Sequence, residues 1–155
     1  MNLSTAGKIE WFGGNIDALN MYKIFVNLAH TWDDLIDKDK DVSESDINNA
    51  FLCCLLYLQI NPFYKSIEKD ILPMWITVVS SYETANYYEN TKDIHGIEIA
   101  HSLRYAAGNI IAYAIHVCVG REKAKEILPE VWKDIFYERF DDYRNEHLNI
   151  KDGKN

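Results

Sequence analysis

A chain of 155 residues with 48% hydrophobic content fits one ordinary domain with a core of its own. Sixteen basic residues against 24 acidic ones leave a net charge of −8 with no basic block, which argues against a duplex-binding face, because phosphate contacts need clustered Lys and Arg. Three cysteines, two of them adjacent at Cys53 and Cys54, do not make a disulfide framework; in an apolar run they read as small buried hydrophobes in a reducing compartment.

The N-terminal stretch MNLSTAGKIEWF lacks the basic-then-apolar order of a signal peptide. The charge-free stretch 105–120, with Asn109 and His116 inside it, is too short and too polar for a membrane span of about 20 apolar residues. The expectation is a cytoplasmic protein with no membrane partner and no nucleic-acid partner.

Apolar spacing is helical nearly everywhere, and no stretch alternates with period two for long. A short helix is expected over 3–12, ended by Gly13-Gly14-Asn15. A second runs over 16–37 and stops in the polar run 38–41. A third enters through the capping-box-like Ser43-Glu44-Ser45-Asp46 and ends near Ile60. A fourth starts at Asn61-Pro62, a cap followed by proline at the first helical position, is kinked or broken at Pro73 and resumes to about Asn90. A fifth covers 93–119 and is capped by Gly120; its small residues Ala100, Ala106, Ala107, Gly108 and Ala114 predict close packing on most sides. A sixth runs over 121–148, interrupted or re-entered at Pro129. The reading is all-α: one helical-bundle domain of about six helices over 1–150, with a disordered tail at 151–155.

Stepping about 100° per residue along the second helix and centring the core on Phe25 puts Ala18, Met21, Tyr22, Leu28, Ala29, Trp32 and Ile36 inward. His30, Asp33 and Asp37, spaced i, i+3, i+7, share a stripe bordering that core, while Asp34 lies one step further round and reads as the more exposed. Three carboxylates within two turns repel one another, and Asp37 stands at a helix C-terminus, where the macrodipole disfavours anions. A cation that offsets them makes this a candidate metal site; the plainer alternative is a solvated helix end with Lys38 and Lys40 as counter-ions.

Two other helices carry candidate partners. Glu98 and His101 form an E-x-x-H pair on the fifth, with Tyr105, Asn109, Ala112 and His116 continuing the stripe and Arg104 just off it; Glu83 and Asn86 of the fourth could add a ligand or a hydrogen bond. Asp134, Glu138, Asp142 and Glu146 repeat at i+4 along the sixth as a second acidic row, joined by Arg139. His95 and His147 read as surface residues. A carboxylate-rich site suits magnesium or manganese, which keeps waters and binds substrate phosphates, with Arg104, Arg139 or Arg144 and Tyr105 available to an anionic small molecule and His30 or His101 as candidate base.

Asp33-Asp34-Leu35-Ile36-Asp37 is a D-D-x-x-D motif in a long apolar helix. It resembles the first aspartate-rich motif of class I isoprenoid (terpenoid) synthases, squalene/phytoene-type enzymes included. The resemblance implies an all-α fold and magnesium held by Asp33, Asp34 and Asp37. Those enzymes are about twice this length and their second motif is not matched by the row on the sixth helix, so only the metal-ligand role is carried over. Glu98-x-x-His101 is similar to the E-x-x-H element of ferritin-like di-iron bundles, but only a reversed, shortened pair at His30-x-x-Asp33 accompanies it, which ranks iron below magnesium. The E-E-x-x-E and E-x-x-D signatures of all-α nucleotide pyrophosphatases are not clearly present. Two functions follow as expectations: a divalent-metal-dependent enzyme acting on a phosphorylated or diphosphate small molecule, or a non-catalytic helical binding or assembly protein, in either case a candidate homo-oligomer.

Overall fold

The computed structural model describes residues 5–38 and 40–148; the tail at 151–155 lies outside them. Helix takes up 87% of the structure with no strand among the described residues, which makes the fold all-α. Four long helices carry it rather than about six: α1 over Ile16–Asp37, α2 over Pro62–Thr91, α3 over Ile94–Arg104 and α4 over Gly108–Ile135. Shorter pieces join or flank them: a turn of helix at Thr5–Lys8 running into a 3-10 turn at Ile9–Phe12, a helical segment between α1 and α2, and a C-terminal helix at Phe140–His147.

The starts and stops are where local chemistry dictates. Asn15 Oδ1 accepts from the N–H groups of Asp17 (3.1 Å) and Ala18 (3.0 Å) and so caps α1. Lys38 ends it with a left-handed φ of 56°, its N–H donating to the Asp34 carbonyl at 3.1 Å. Ser43 and Asp46 form the reciprocal capping box expected of them. Asn61 caps α2 by accepting from Tyr64 N–H at 2.8 Å, while its Nδ2 donates to the Asp17 carbonyl at 2.9 Å; one amide both starts α2 and ties it to the start of α1. Lys92 and Asp93 turn the chain sharply into α3, with Asp93 accepting from Gly96 N–H at 2.7 Å.

Two prolines expected to break helices do not. Pro73 lies inside α2 and Pro129 inside α4. A proline within a helix costs about 3 kcal/mol. Burying Ile71 and Val78 on either side of Pro73 returns about 1.5–3 kcal/mol each, so α2 survives intact. The break falls elsewhere, at 105–107, inside what reads in sequence as one helix over 93–119. The turn brings Gly108 onto the Trp132 ring, where an added Cβ would lie 2.5 Å from Cζ3. Gly120, at φ 75° and ψ 170°, leaves helical geometry, so α4 consists of two helical stretches joined across it.

The main core is built from Trp11 and Phe12, the α1 face Ala18-Met21-Tyr22-Phe25, Ile67 and Ile71 of α2, and Ile110, Ala114 and Ile115 of α4. A smaller cluster of Ala85, Ile97, Ala100 and Tyr143 closes the far end, where α2 and α3 meet the C-terminal helix. On α1 the inward face fades toward its end: Ala29 is exposed and Ile36 is 48% exposed, against expectation. No helix among the described residues is long and apolar enough to cross a membrane.

Candidate functional site

At the C-terminal end of α1, Asp33 and Asp37 meet a cation, and the cation is Arg104 from the end of α3. Arg104 Nη1 donates to Asp33 Oδ1 at 2.5 Å and Nη2 to Asp37 Oδ2 at 3.3 Å. Its other edge forms a two-point fork with Glu89 of α2, Nε to Oε1 at 2.5 Å and Nη2 to Oε2 at 2.7 Å, the planar geometry that only a guanidinium offers a carboxylate. Tyr82 and Asn86 complete the ring: Nη1 to the Tyr82 hydroxyl at 3.2 Å, Nη2 to Asn86 Oδ1 at 3.4 Å, and the guanidinium carbon 5.0 Å from the Tyr82 ring centroid. Tyr82 in turn donates to Asp33 Oδ1 at 2.7 Å and packs against Trp32. Tyr143, from the C-terminal helix, donates to Glu89.

The electrostatics follow from burial. The Arg104 side chain is 14% exposed and that of Glu89 only 9%. Burial alone would lower the Arg104 pKa; the hydrogen bonds and charge of Glu89 outweigh it and hold the guanidinium above its ordinary value. Burial alone would likewise raise the Glu89 carboxyl, but the hydrogen bonds from Arg104 and Tyr143 hold it below its ordinary 4.5. Desolvation first, then hydrogen bonding to a carboxylate, pushes the hydroxyls of Tyr82 and Tyr143 well above the usual tyrosine range, so both stay protonated donors.

Beside this cluster lies a buried imidazole. His101 is 9% exposed, ringed by Tyr105, Phe136, Phe140 and Tyr143 at centroid distances of 5.0–5.7 Å, and its Nε2 donates to the Glu138 carbonyl at 3.2 Å. The ring is therefore enclosed by aromatic faces with Nε2 committed to a backbone bond, an arrangement that suits a core histidine.

The predicted residues divide accordingly. Asp33, Asp37, Arg104, His101 and Tyr105 come to one end of the bundle. Arg104 does not stand ready for an anionic substrate, because the five N–H groups of a guanidinium are all directed at protein acceptors here. His30 is exposed on α1. Glu98 is exposed and faces His95 at 3.4 Å rather than Asp33. Asp34, expected to be more exposed than its neighbours, is less so, with 26% of its side chain accessible against 43% for Asp33 and 37% for Asp37. The left-handed turn at Lys38 folds the chain back so that Lys40 reaches Asp34 at 3.3 Å.

The second acidic row is not one helical row. α4 ends at Ile135, and the chain passes through Phe136–Arg139 as a loop before the C-terminal helix begins at Phe140. Asp134 is left on α4, paired with Lys8 at 2.5 Å. Glu138 sits in the loop, and Asp142 and Glu146 are exposed on the C-terminal helix, whose entry residue Arg139 is also exposed. Arg144 pairs with Asp141 at 3.3 Å. Burial and the nearby charge of Glu146 raise the Glu138 carboxyl against the opposing charge of Arg104, with smaller contributions from Asp142 and Asp33, so the rearranged row still lies within electrostatic reach of α1.

Among the described residues no group of three or more His, Cys, Asp or Glu side chains is arranged to hold a metal ion. The donor set implied by the D-D-x-x-D motif does not fit a magnesium ion in this arrangement, because Arg104 holds Asp33 and Asp37 while Asp34 is paired with Lys40. A cleft of about 290 Å³ near the N-terminus is lined by Gly7, Glu10, Trp11, Lys123, Glu126, Ile127 and Glu130, none of them a predicted site residue.

Sequence reasoning missed Tyr82, Glu89 and Tyr143. Tyr82, Asn86 and Glu89 are spaced i, i+4, i+7, a polar stripe on α2 that could have been read as the counterpart of the α1 stripe. Compared with known proteins, the chain matches no family model and shows no significant similarity to a curated protein or a solved structure.

Proposed function

We propose that the protein is a non-catalytic helical assembly protein, in which the Asp33–Arg104–Glu89 cluster holds the helices and contact with a partner is made elsewhere on the surface. The observation that carries this reading is the complete use of Arg104 by protein acceptors: the charged residues that would do chemistry are bonded to one another. A surface of exposed apolar residues on the segment between α1 and α2 supplies the contact. The test compares the size of the native species in gentle extracts for the natural chain, for Leu55→Glu on that surface and for Asp33→Asn. A species larger than the single chain, lost with Leu55→Glu and kept with Asp33→Asn, is expected; a single-chain species throughout would end the reading.

One observation favours a second reading, the metal-dependent enzyme acting on a phosphorylated or diphosphate small molecule. Carboxylates gather at this end of the bundle: burial and Glu146 raise the Glu138 carboxyl, and Asp142 and Asp33 add to that against the opposing charge of Arg104. A divalent cation would then have to displace Arg104 from Asp33 and Asp37. A rise in melting temperature of the natural chain with magnesium, manganese or iron would support this reading, and no shift with any of the three would remove it.

A further inference from the structure

The helical segment between α1 and α2 breaks the rule that surface helices are apolar on one stripe only. It runs from Glu44 to Ile60, with an α-helical start at Glu44–Leu52, a π turn at Cys53–Tyr57 and a last turn at Leu58–Ile60. Residues 47–64 carry no charge at all. Of its large apolar residues only Leu58 is buried, together with the smaller Cys53. Phe51 is 63% exposed, Leu52 47%, Leu55 72%, Leu56 45%, Tyr57 42% and Ile60 65%. Cys54, which reads in sequence as a buried small hydrophobe, is exposed with them. A helix apolar on every side is one that is covered on every side.

Two side-chain bonds fix this segment across α1. Asn49 Nδ2 donates to Asn27 Oδ1 at 3.3 Å near one end, and Asn61 Nδ2 holds the Asp17 carbonyl at 2.9 Å at the other. The two helices therefore lie antiparallel, and Ile16, the chain neighbour of Asp17, is likewise exposed, at 54%. Taking about 200 Å² for a fully exposed large side chain, the six residues from Phe51 to Ile60 present on the order of 650 Å². That exceeds the roughly 300–600 Å² of the largest apolar patch on a typical monomer and approaches the roughly 800 Å² each partner contributes to a stable interface.

We propose that this face is covered by a second copy of the same chain, packed about a two-fold axis with the Phe51–Ile60 faces against each other. The inference rests on the assembly reading above and names its partner. Charge selects the occupant. Each copy carries −8, so association through any acidic face would be opposed, and this face, free of charge, is one where two copies can meet without that repulsion. A lipid surface is disfavoured, since no Lys or Arg lies between Lys40 and Lys65 to meet headgroups, whereas Asp41, Glu44 and Asp46 do lie there. An isologous contact needs a self-complementary patch, and an uncharged apolar helix crossing its own copy provides one.

Sedimentation equilibrium of the purified full chain at up to about 100 µM is expected to give twice the 18.0 kDa chain mass. Leu55→Glu, at a position already 72% exposed, should give the single-chain mass with unchanged helix content. Mixing Leu55→Glu with Leu55→Lys should restore the dimer, as opposite charges face each other across the axis. A natural chain that stays monomeric, or a dimer indifferent to Leu55→Glu, overturns the proposal, as does a monomer that floats with zwitterionic phospholipid vesicles through this face. A monomeric pure chain alongside a larger species in extracts would overturn the second copy while leaving the assembly reading standing.

Discussion

Arg104 and Asp33 are 71 residues apart in the chain and 2.5 Å apart in the fold. That one contact ties the end of α3 to the end of α1, and because the same guanidinium forks onto Glu89, it ties both to α2. Removing the cation would leave Asp33, Asp37 and a nearly buried Glu89 facing one another. Taking away one partner of a buried pair costs about 3–5 kcal/mol. Arg104→Ala should therefore lower the melting temperature by about 10 °C, at 2–4 °C per kcal/mol for a domain of this size. Arg104→Lys, which keeps the charge and loses the fork, should fall between the two in thermal denaturation followed by circular dichroism.

Arg104→Gln should create what the natural arrangement withholds. With the guanidinium gone, three carboxylates converge on one space, and millimolar magnesium or calcium should recover part of the lost stability. The natural chain, tested beside it, should show no such shift. Equal responses from the two proteins would mean that Arg104 does not fill the cation's place.

Glu89 sets one acid-side limit on stability. Its folded-state pKa lies below the ordinary 4.5, so its contribution is fully present above about pH 4.5 and is lost as the pH falls through the lower, folded value. Glu89→Gln should lose stability at pH 7 and show a flatter decline between about pH 5 and 3 than the natural chain in urea melts at successive pH values.

Glu138 should behave with the opposite sign. Burial and Glu146 raise its folded-state pKa, so ionising it at neutral pH opposes folding, and that opposition disappears as the pH drops toward the ordinary carboxylate value. Glu138→Gln should raise the melting temperature at pH 7 by about 1–3 °C and make no difference near pH 4. A destabilising effect at neutral pH would show that the Glu138 carboxylate is used by something bound there.

Gly108→Ala should be costly for a steric reason alone. The new Cβ would meet Trp132 Cζ3 at 2.5 Å and Cη2 at 2.8 Å, both ring atoms of a residue on the stretch of α4 beyond Gly120, and forcing such an overlap costs about 1–3 kcal/mol. Thermal melts of this variant against Gly14→Ala, where an added Cβ meets nothing within 4 Å but φ is 82°, separate crowding from backbone strain.

The all-helical fold and most helix starts were legible because they depend on neighbours in sequence: Asn15, Ser43, Asn61 and Asp93 each cap the helix that follows them. The prolines misled because their cost is local while the burial of Ile71, Val78 and Val131 that outweighs it is not. At the site, the repulsion among the aspartates points in sequence to a metal ion, and the cation the fold brings to Asp33 and Asp37 is the Arg104 guanidinium. What spacing does not reveal is its kind, since Arg104 ends a helix that the apolar pattern carries on to Val119. Glu138 shows the same limit from the other side: the i+4 repeat of acids was real in sequence, yet the chain leaves the helix at Ile135 to set Phe136 against Tyr105 and to turn the Glu138 carbonyl toward His101.

The π turn at Cys53–Tyr57 means that the chain carries one residue more than its helix needs at that point. Cys53 and Leu58, five apart, occupy the inward positions that residues four apart hold in a regular helix. Shortening the chain by Cys54 would therefore leave both inward contacts in phase, where the same cut in α1 or α2 would rotate everything beyond it by about 100°. This segment can absorb a change in length, and with it a change in which side chains it shows to the outside, without disturbing the helices on either side.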